Sequence, residues 1–284
     1  MITRNKPCQI LLRLSSVLCF LLMSTDATAH LEGPKMNITT VSKNVEAVVL
    51  GTGGGTTALL HGEPSSSIVI RVDGKCRLLI DAGLGVTSHL LKVCDQEFPS
   101  TVFISHNHSD HSGEFPVMAI VTASMKRRIR TVCGPEVAER LKKHRLHEAL
   151  SAGFDPETIV DWVIPSGSER VKIDDDFEML LVRGLHAEIS YGFVLYLSGF
   201  PILGYTGDSG FNLDFYKKLS ISKILMVDAR KNGTSEHAGF DEVLGYQKIS
   251  PGIKVLVYGF GQSQEGPANG LEAMKPGESI TLFP

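Results

Sequence analysis

His106, His108, Asp110 and His111 fall in one short stretch directly after the apolar run Thr101-Val102-Phe103-Ile104. Three imidazoles and a carboxylate at that density are the donor types and spacing of a metal-binding loop. Residues two apart in extended chain share a face, so a strand delivering its end into the loop aims His106 and His108 the same way. Asp110 and His111 then fall beyond the bend, where a second ion about 3.5–4 Å from the first would make a two-metal hydrolytic site.

Two later segments supply the remaining donors. Gly184-Leu185-His186-Ala187-Glu188 offers an imidazole and Gly204-Tyr205-Thr206-Gly207-Asp208-Ser209-Gly210 a carboxylate, each beside a strand-like run. With Leu50-Gly51-Thr52-Gly53-Gly54-Gly55 and Leu79-Ile80-Asp81-Ala82-Gly83, the order resembles the metallo-β-lactamase superfamily over most of the chain. It is most similar to the ribonuclease Z and phosphodiesterase branch. The resemblance implies an α/β (α+β) fold, the four-layer αββα sandwich, with metals at one edge. It places a first ion on His106, His108, His186 and Asp208, and a second on Asp110, His111 and the bridging Asp208. His237, in Glu236-His237-Ala238-Gly239-Phe240, matches a histidine at a helix start that works as acid/base or holds a substrate phosphate. Asp81 matches a carboxylate that supports the metal loop, and it is equally suited to cap a helix over Val86–Val93.

The elements that must position these groups follow from the patterning. Asn44–Leu50 alternates and then runs apolar, as a strand does, before emptying into the Gly51–Gly55 turn. Glycines there permit close backbone approach, and their spacing fits neither dinucleotide nor phosphate-loop patterns. Asp73-Gly74 marks a hairpin between Ser67–Val72 and Cys76–Ile80. A helix is expected over Phe115–Met125, a strand over Ile129–Cys133, and one helix from Glu136 to about Leu150, with His144 and His147 on its surface. Further strands are expected at Phe177–Val182, Phe193–Leu197, Ile202–Tyr205 and Ile224–Val227. A helix opens near Glu236, and Lys254–Tyr258 reads as the last core strand.

The chain has 284 residues, 43% apolar and 21% charged, enough for one sizeable core. Residues 1–29 differ: three basic side chains precede the apolar run Leu14–Met23, which is too short to span a bilayer, and Ala27-Thr28-Ala29 follows. This predicts a signal peptide cut after Ala29, a single domain over residues 30–284, and a periplasmic or secreted product without stable membrane insertion. Cleavage removes three of the 28 Lys+Arg and one of the 31 Asp+Glu, leaving 25 against 30 and a formal charge of −5. That balance argues against a nucleic-acid binder. The basic clusters Lys126–Arg130 and Lys142–Arg145 read as solvated surface. Cys76, Cys94 and Cys133 remain after cleavage and allow at most one disulfide.

In two respects the chain departs from its look-alikes. Only 22 positions separate His186 from Asp208, leaving no room for the long arm with which ribonuclease Z proteins grip transfer RNA, so tRNA is not expected as a partner. The position after Lys254–Tyr258 that resembles a final second-site histidine is Gly259, and no histidine follows His237. The expected cofactor is therefore one tightly held Zn²⁺, with a second ion weak or absent and Mn²⁺ or Fe as alternatives. Without the second ion, Asp110 becomes free to act as general base. Together these features suggest an exported metal-dependent hydrolase. Zinc-bound hydroxide attacks a phosphoester, a phosphodiester such as a cyclic nucleotide, with Asp110, Asp208 and His237 as the catalytic residues. The same scaffold also hydrolyses β-lactams, lactones or sulfate esters, and a degenerate binding protein without turnover is the alternative from another class.

Overall fold

In β1 (Val45–Gly51) the side chains of Val45, Ala47 and Val49 enter one apolar core while Val48 and Leu50 enter another. A strand apolar on both faces must lie inside a layered structure, because side chains alternate across the pleat. The same division recurs in β2 (Ser67–Val72) and β3 (Lys75–Ile80), where Ile68, Ile70, Leu78 and Ile80 face inward and Val69 and Leu79 outward. The computed structural model describes residues 43–262, 264–267 and 270–283. The signal peptide expected over residues 1–29 lies outside the described residues.

The first sheet continues through β4 (Thr101–Phe103), β5 (Ile129–Val132) and β6 (Val160–Val163), all parallel to β3, while β15 (Ser279–Phe283) pairs antiparallel with β1 at the other edge. In the second sheet β7 (Arg170–Lys172), β8 (Phe177–Arg183), β9 (Tyr191–Leu197) and β10 (Phe200–Tyr205) form an antiparallel meander. Parallel strands β11 (Ile224–Arg230), β13 (Lys254–Tyr258) and β14 (Glu272–Ala273) extend it, and the two-residue β12 (Ala238–Gly239) pairs with the end of β11. The sheets enclose a core that includes Phe103, Phe193, Leu195, Tyr205, Met226 and Leu256. Helices Val86–Val93 and Phe115–Ser124 cover the outer face of the first sheet, and Leu213–Leu219 and Phe240–Ile249 that of the second. The architecture is the expected αββα sandwich.

The hairpin turn is at Asp73-Gly74, both residues having positive φ (49° and 80°), the backbone a tight two-residue turn requires. Three expectations need correction. The helix expected from Glu136 to Leu150 is Pro135–Arg140, a π turn at Leu141–Arg145, and His147–Ser151. The helix expected to open near Glu236 begins at Phe240, because Ala238-Gly239 is taken up by pairing with β11. Lys254–Tyr258 is not last: the chain returns through β15 to close the first sheet. Cys76 and Cys94 are disulfide-bonded, and Cys133 is a buried free thiol.

Candidate metal centre

The C-terminal ends of β3, β4, β10, β11 and β13 run into Asp81, the histidine loop, Asp208, Arg230 and Gly259 respectively. Carboxyl ends of parallel strands are where open α/β sheets gather their ligand-binding loops. Asp81 turns the chain out of β3 in a left-handed conformation (φ 59°) and is completely buried. Its carboxylate accepts hydrogen bonds from Ser105 N (2.7 Å), Ser105 Oγ (2.9 Å), His111 Nδ1 (2.8 Å) and Tyr205 Oη (2.9 Å). The helix-cap alternative for Asp81 is not realised. Gly85 is the N-cap of Val86–Val93, and Glu114 accepts from Gly85 N and Thr87 N, each at 2.6 Å.

The histidine loop leaves β4 and is pinned on several sides. Ala82 N donates to His111 O at 2.8 Å, and Gly83 packs so closely that a Cβ there would lie 1.8 Å from Asp110 O. From the π turn, Arg145 donates to Asn107 Oδ1 (3.1 Å), Asn107 O (2.7 Å) and Ser109 Oγ (3.1 Å). Arg145 is therefore a brace for the metal loop rather than solvated surface, correcting the reading of its basic cluster. In the other cluster Arg130 is likewise engaged, donating to Asp161 and to Ile173 O at 2.8 Å each.

Three imidazoles converge. His106 Nε2 lies 3.1 Å from His108 Nδ1, and His186 Nε2 lies 3.3 Å from the same atom. Tetrahedral zinc with Zn–N bonds of about 2.0–2.1 Å would hold its nitrogens about 3.3 Å apart, so the three nitrogens sit where such an ion needs them. The opposite nitrogens are anchored, His106 Nδ1 3.0 Å from Ser105 Oγ and His186 Nδ1 3.2 Å from Glu236 O, which fixes the rings with their inner lone pairs free. Burial, reinforced by His111, pushes the His106 pKa well down, and burial with His186 lowers that of His108, favouring the neutral form that binds metal. These residues fit a divalent cation.

His111 and Asp208 stand beside them. His111 Nε2 is 3.2 Å from Asp208 Oδ1 and 3.5 Å from Asp110 Oδ2. Burial works against the charge on Asp208, but His111, His106 and Arg230 outweigh it and hold its carboxyl well below the usual range. All six residues expected as ligands are thus gathered at one edge of the sandwich. His237 is close by, its ring centroid 5.3 Å from that of His186, and its Nδ1 is 2.7 Å from Asp228 Oδ2. His108, Asp110, His186, Asp208 and His237 line one hollow of about 240 Å³ with Gly54, Gly55, Arg230 and Glu236.

Asp228 and Arg230 had no assigned role in the sequence pattern. His111 and Asp208, with His106, also form a buried group whose donor atoms lie within 4.8 Å of one another, but a cationic side chain stands against its carboxylate. Arg230 Nη1 is 2.8 Å from Asp228 Oδ1 and its Nη2 3.9 Å from Asp208 Oδ2, so a guanidinium already stands at the carboxylates.

The two packed sheets with helices outside are the metallo-β-lactamase fold. The fold resembles YhfI of Bacillus subtilis, a metallo-β-lactamase fold protein, with a TM-score of 0.67 at 16% identity over 83% of this chain and 99% of that one. It is also similar to the short form of human tRNase Z (TM-score 0.62, 20% identity, 84% and 99% of the chains) and to a diphosphatase of the PhnP family (0.62, 15%, 84% and 98%). Residues 45–274 match the family described as Anti-Pycsar protein Apyc1, and the chain belongs to that family. No curated protein matches the sequence.

Proposed function

We propose that this chain is an exported metal-dependent phosphodiesterase whose substrate is a small nucleotide-like phosphodiester such as a cyclic nucleotide. The observation that carries the reading is the hollow in which His108 and His186, whose nitrogens converge with that of buried His106, share a wall with His237 and an arginine. Two cationic side chains beside a cation site favour an anionic ester over a neutral lactam or lactone. At about 240 Å³ the hollow suits a small substrate. Between His186 and Asp208 the chain is taken up by β9 and β10, joined through Ser198-Gly199, and this short interval favours a small substrate over a transfer RNA. The human tRNase Z and the PhnP-family diphosphatase share the fold.

A divalent cation on His106, His108, His186 and Asp208 would acidify a water and offset charge on a phosphoryl oxygen. Asp110, in the wall of the hollow, is placed to take a proton from the attacking water. His237 Nδ1 is occupied by Asp228, so Nε2 is the nitrogen left to protonate the departing oxygen. Asp208 stays anionic between His111 and Arg230 and orients both.

The deciding experiment assays the chain beginning at His30, loaded in turn with zinc, manganese and iron. Bis-(p-nitrophenyl) phosphate and cyclic nucleotides are compared with β-lactam, lactone and sulfate-ester substrates. Turnover of the phosphodiesters, abolished by His106→Ala, is the expected result. Turnover confined to the other esters would defeat the proposal, and binding without turnover under all three metals would make this a ligand-binding protein.

A further inference from the structure

Beside the three histidines and the group His106, His111 and Asp208, a third cluster of metal-ligating type, Asp208, Asp228 and His237, brings its donor atoms to within 4.8 Å of one another. A cation of the chain's own stands in it. Arg230 Nη1 is 2.8 Å from Asp228 Oδ1, Nη2 is 3.9 Å from Asp208 Oδ2 and 3.4 Å from His237 Nδ1, and the side chain is only 19% exposed. Nη1 and Asp228 Oδ1 are close enough to pair electrostatically yet out of line for a hydrogen bond, so both buried atoms lack a hydrogen-bond partner. Burial opposes the guanidinium charge, and Asp228 and Asp208 more than restore it.

Two distant glycines make room for this side chain. A Cβ on Gly54 would come within 2.8 Å of Arg230 Cζ and Nη1. A Cβ on Gly259 would lie 2.2 Å from Nη1 and 2.1 Å from Asp228 Oδ1, and Gly259 itself has φ +92°, a conformation side chains rarely adopt. A side chain at 259 would therefore collide with both the arginine at 230 and the carboxylate of Asp228. Gly259→His alone supplies no ligand for a second ion, since Arg230 and Asp228 both occupy the space its side chain needs.

We propose that Arg230 takes the place of the second ion, so that the chain carries a single divalent cation and a fixed guanidinium that binds an anionic oxygen of the substrate. Only the last part rests on the phosphodiester reading. Asp208 then joins the resident ion on one side to Arg230 on the other, and the glycine at 259 is the counterpart of the arginine rather than a simple loss.

The test counts ions. Native mass spectrometry of folded protein titrated with zinc or manganese should find one tightly bound ion per chain in the wild type and in Gly259→His. A second ion is expected in Arg230→Ala, which clears the space beside Asp208 and leaves His111 and Asp110 as further donors; its fold is checked by circular dichroism. Two ions of comparable affinity on the wild type would overturn the proposal. So would a folded Arg230→Ala that keeps its first ion and gains no second; should that variant misfold, the wild-type count decides. For the substrate role, calorimetric binding of inorganic phosphate to the zinc-loaded chain should weaken at least tenfold in Arg230→Ala and recover in part with Arg230→Lys. Unchanged phosphate affinity would remove that role. None of these readouts needs turnover, so they stand apart from the outcome of the activity assay.

Discussion

Tyr205 Oη donates to Asp81 Oδ2 at 2.9 Å, tying the end of β10 in one sheet to the end of β3 in the other beneath the histidine loop. Asp81 also holds His111 and Ser105, so one buried carboxylate sets the orientation of the loop and the spacing of the sheets together.

Asp81→Ala should lower affinity for the divalent ion by about 10–100-fold, the usual effect of losing a carboxylate that orients ligating groups. Competition with a coloured chelator measures this. Tyr205→Phe, which leaves three of the donors to Asp81, should affect ion affinity less and cost about 1–3 kcal/mol of stability. A folded Asp81→Ala with wild-type affinity would show that the loop is held by Arg145 and the backbone alone.

The His237–Asp228 pair gives a pH signature. Burial by itself lowers the imidazole pKa, but the hydrogen bond and charge of Asp228 prevail and leave it above the ordinary 6.5. The pair therefore stabilises the fold most below the unfolded value, and that contribution fades as pH rises through the raised one. As a general acid, His237 stays protonated to higher pH than a free imidazole. Asp228→Asn should move the alkaline limb of kcat to lower pH, with the His237 ring shifting alike in NMR titration. A limb that stays put while the ring titration moves would assign the acid to another group.

The Cys76–Cys94 disulfide joins β3 to the residue after helix Val86–Val93 across 18 positions. Closing a loop of that size contributes about 3 kcal/mol. For a domain of this length, Cys76→Ser/Cys94→Ser should lower Tm by roughly 6–12 °C in calorimetry. Cys133, its thiol pushed up to about 12 by burial, should resist iodoacetamide until the chain unfolds. Labelling of Cys133 in the native protein would contradict its position in the core.

The ligand loop could be read in the sequence because its chemistry is local: imidazoles two apart at a strand end need no knowledge of the rest of the chain. The Asp73-Gly74 hairpin and the apolar alternation of β1 are local in the same way. His186 and Asp208 had to be placed by resemblance, and the structure brings them to the loop. Arg230 was unreadable, because its meaning depends on Gly54 and Gly259, far away in sequence yet both packed against its guanidinium. The late start of helix Phe240–Ile249 was hidden for a related reason. Two residues given to β12 are too few for any periodicity, and only the neighbouring β11 makes them a strand.

The pairing of β15 with β1 joins residues at the two extremes of the described chain. During synthesis the outer edge of β1 must wait, its backbone amides unpartnered, until Ser279–Phe283 has left the ribosome. Such late closure makes nascent chains prone to wrong edge-to-edge association, and it sets a long-range contact that slows folding. Even a short truncation at that tail would thus leave a permanent sticky border on the sheet that carries the histidines.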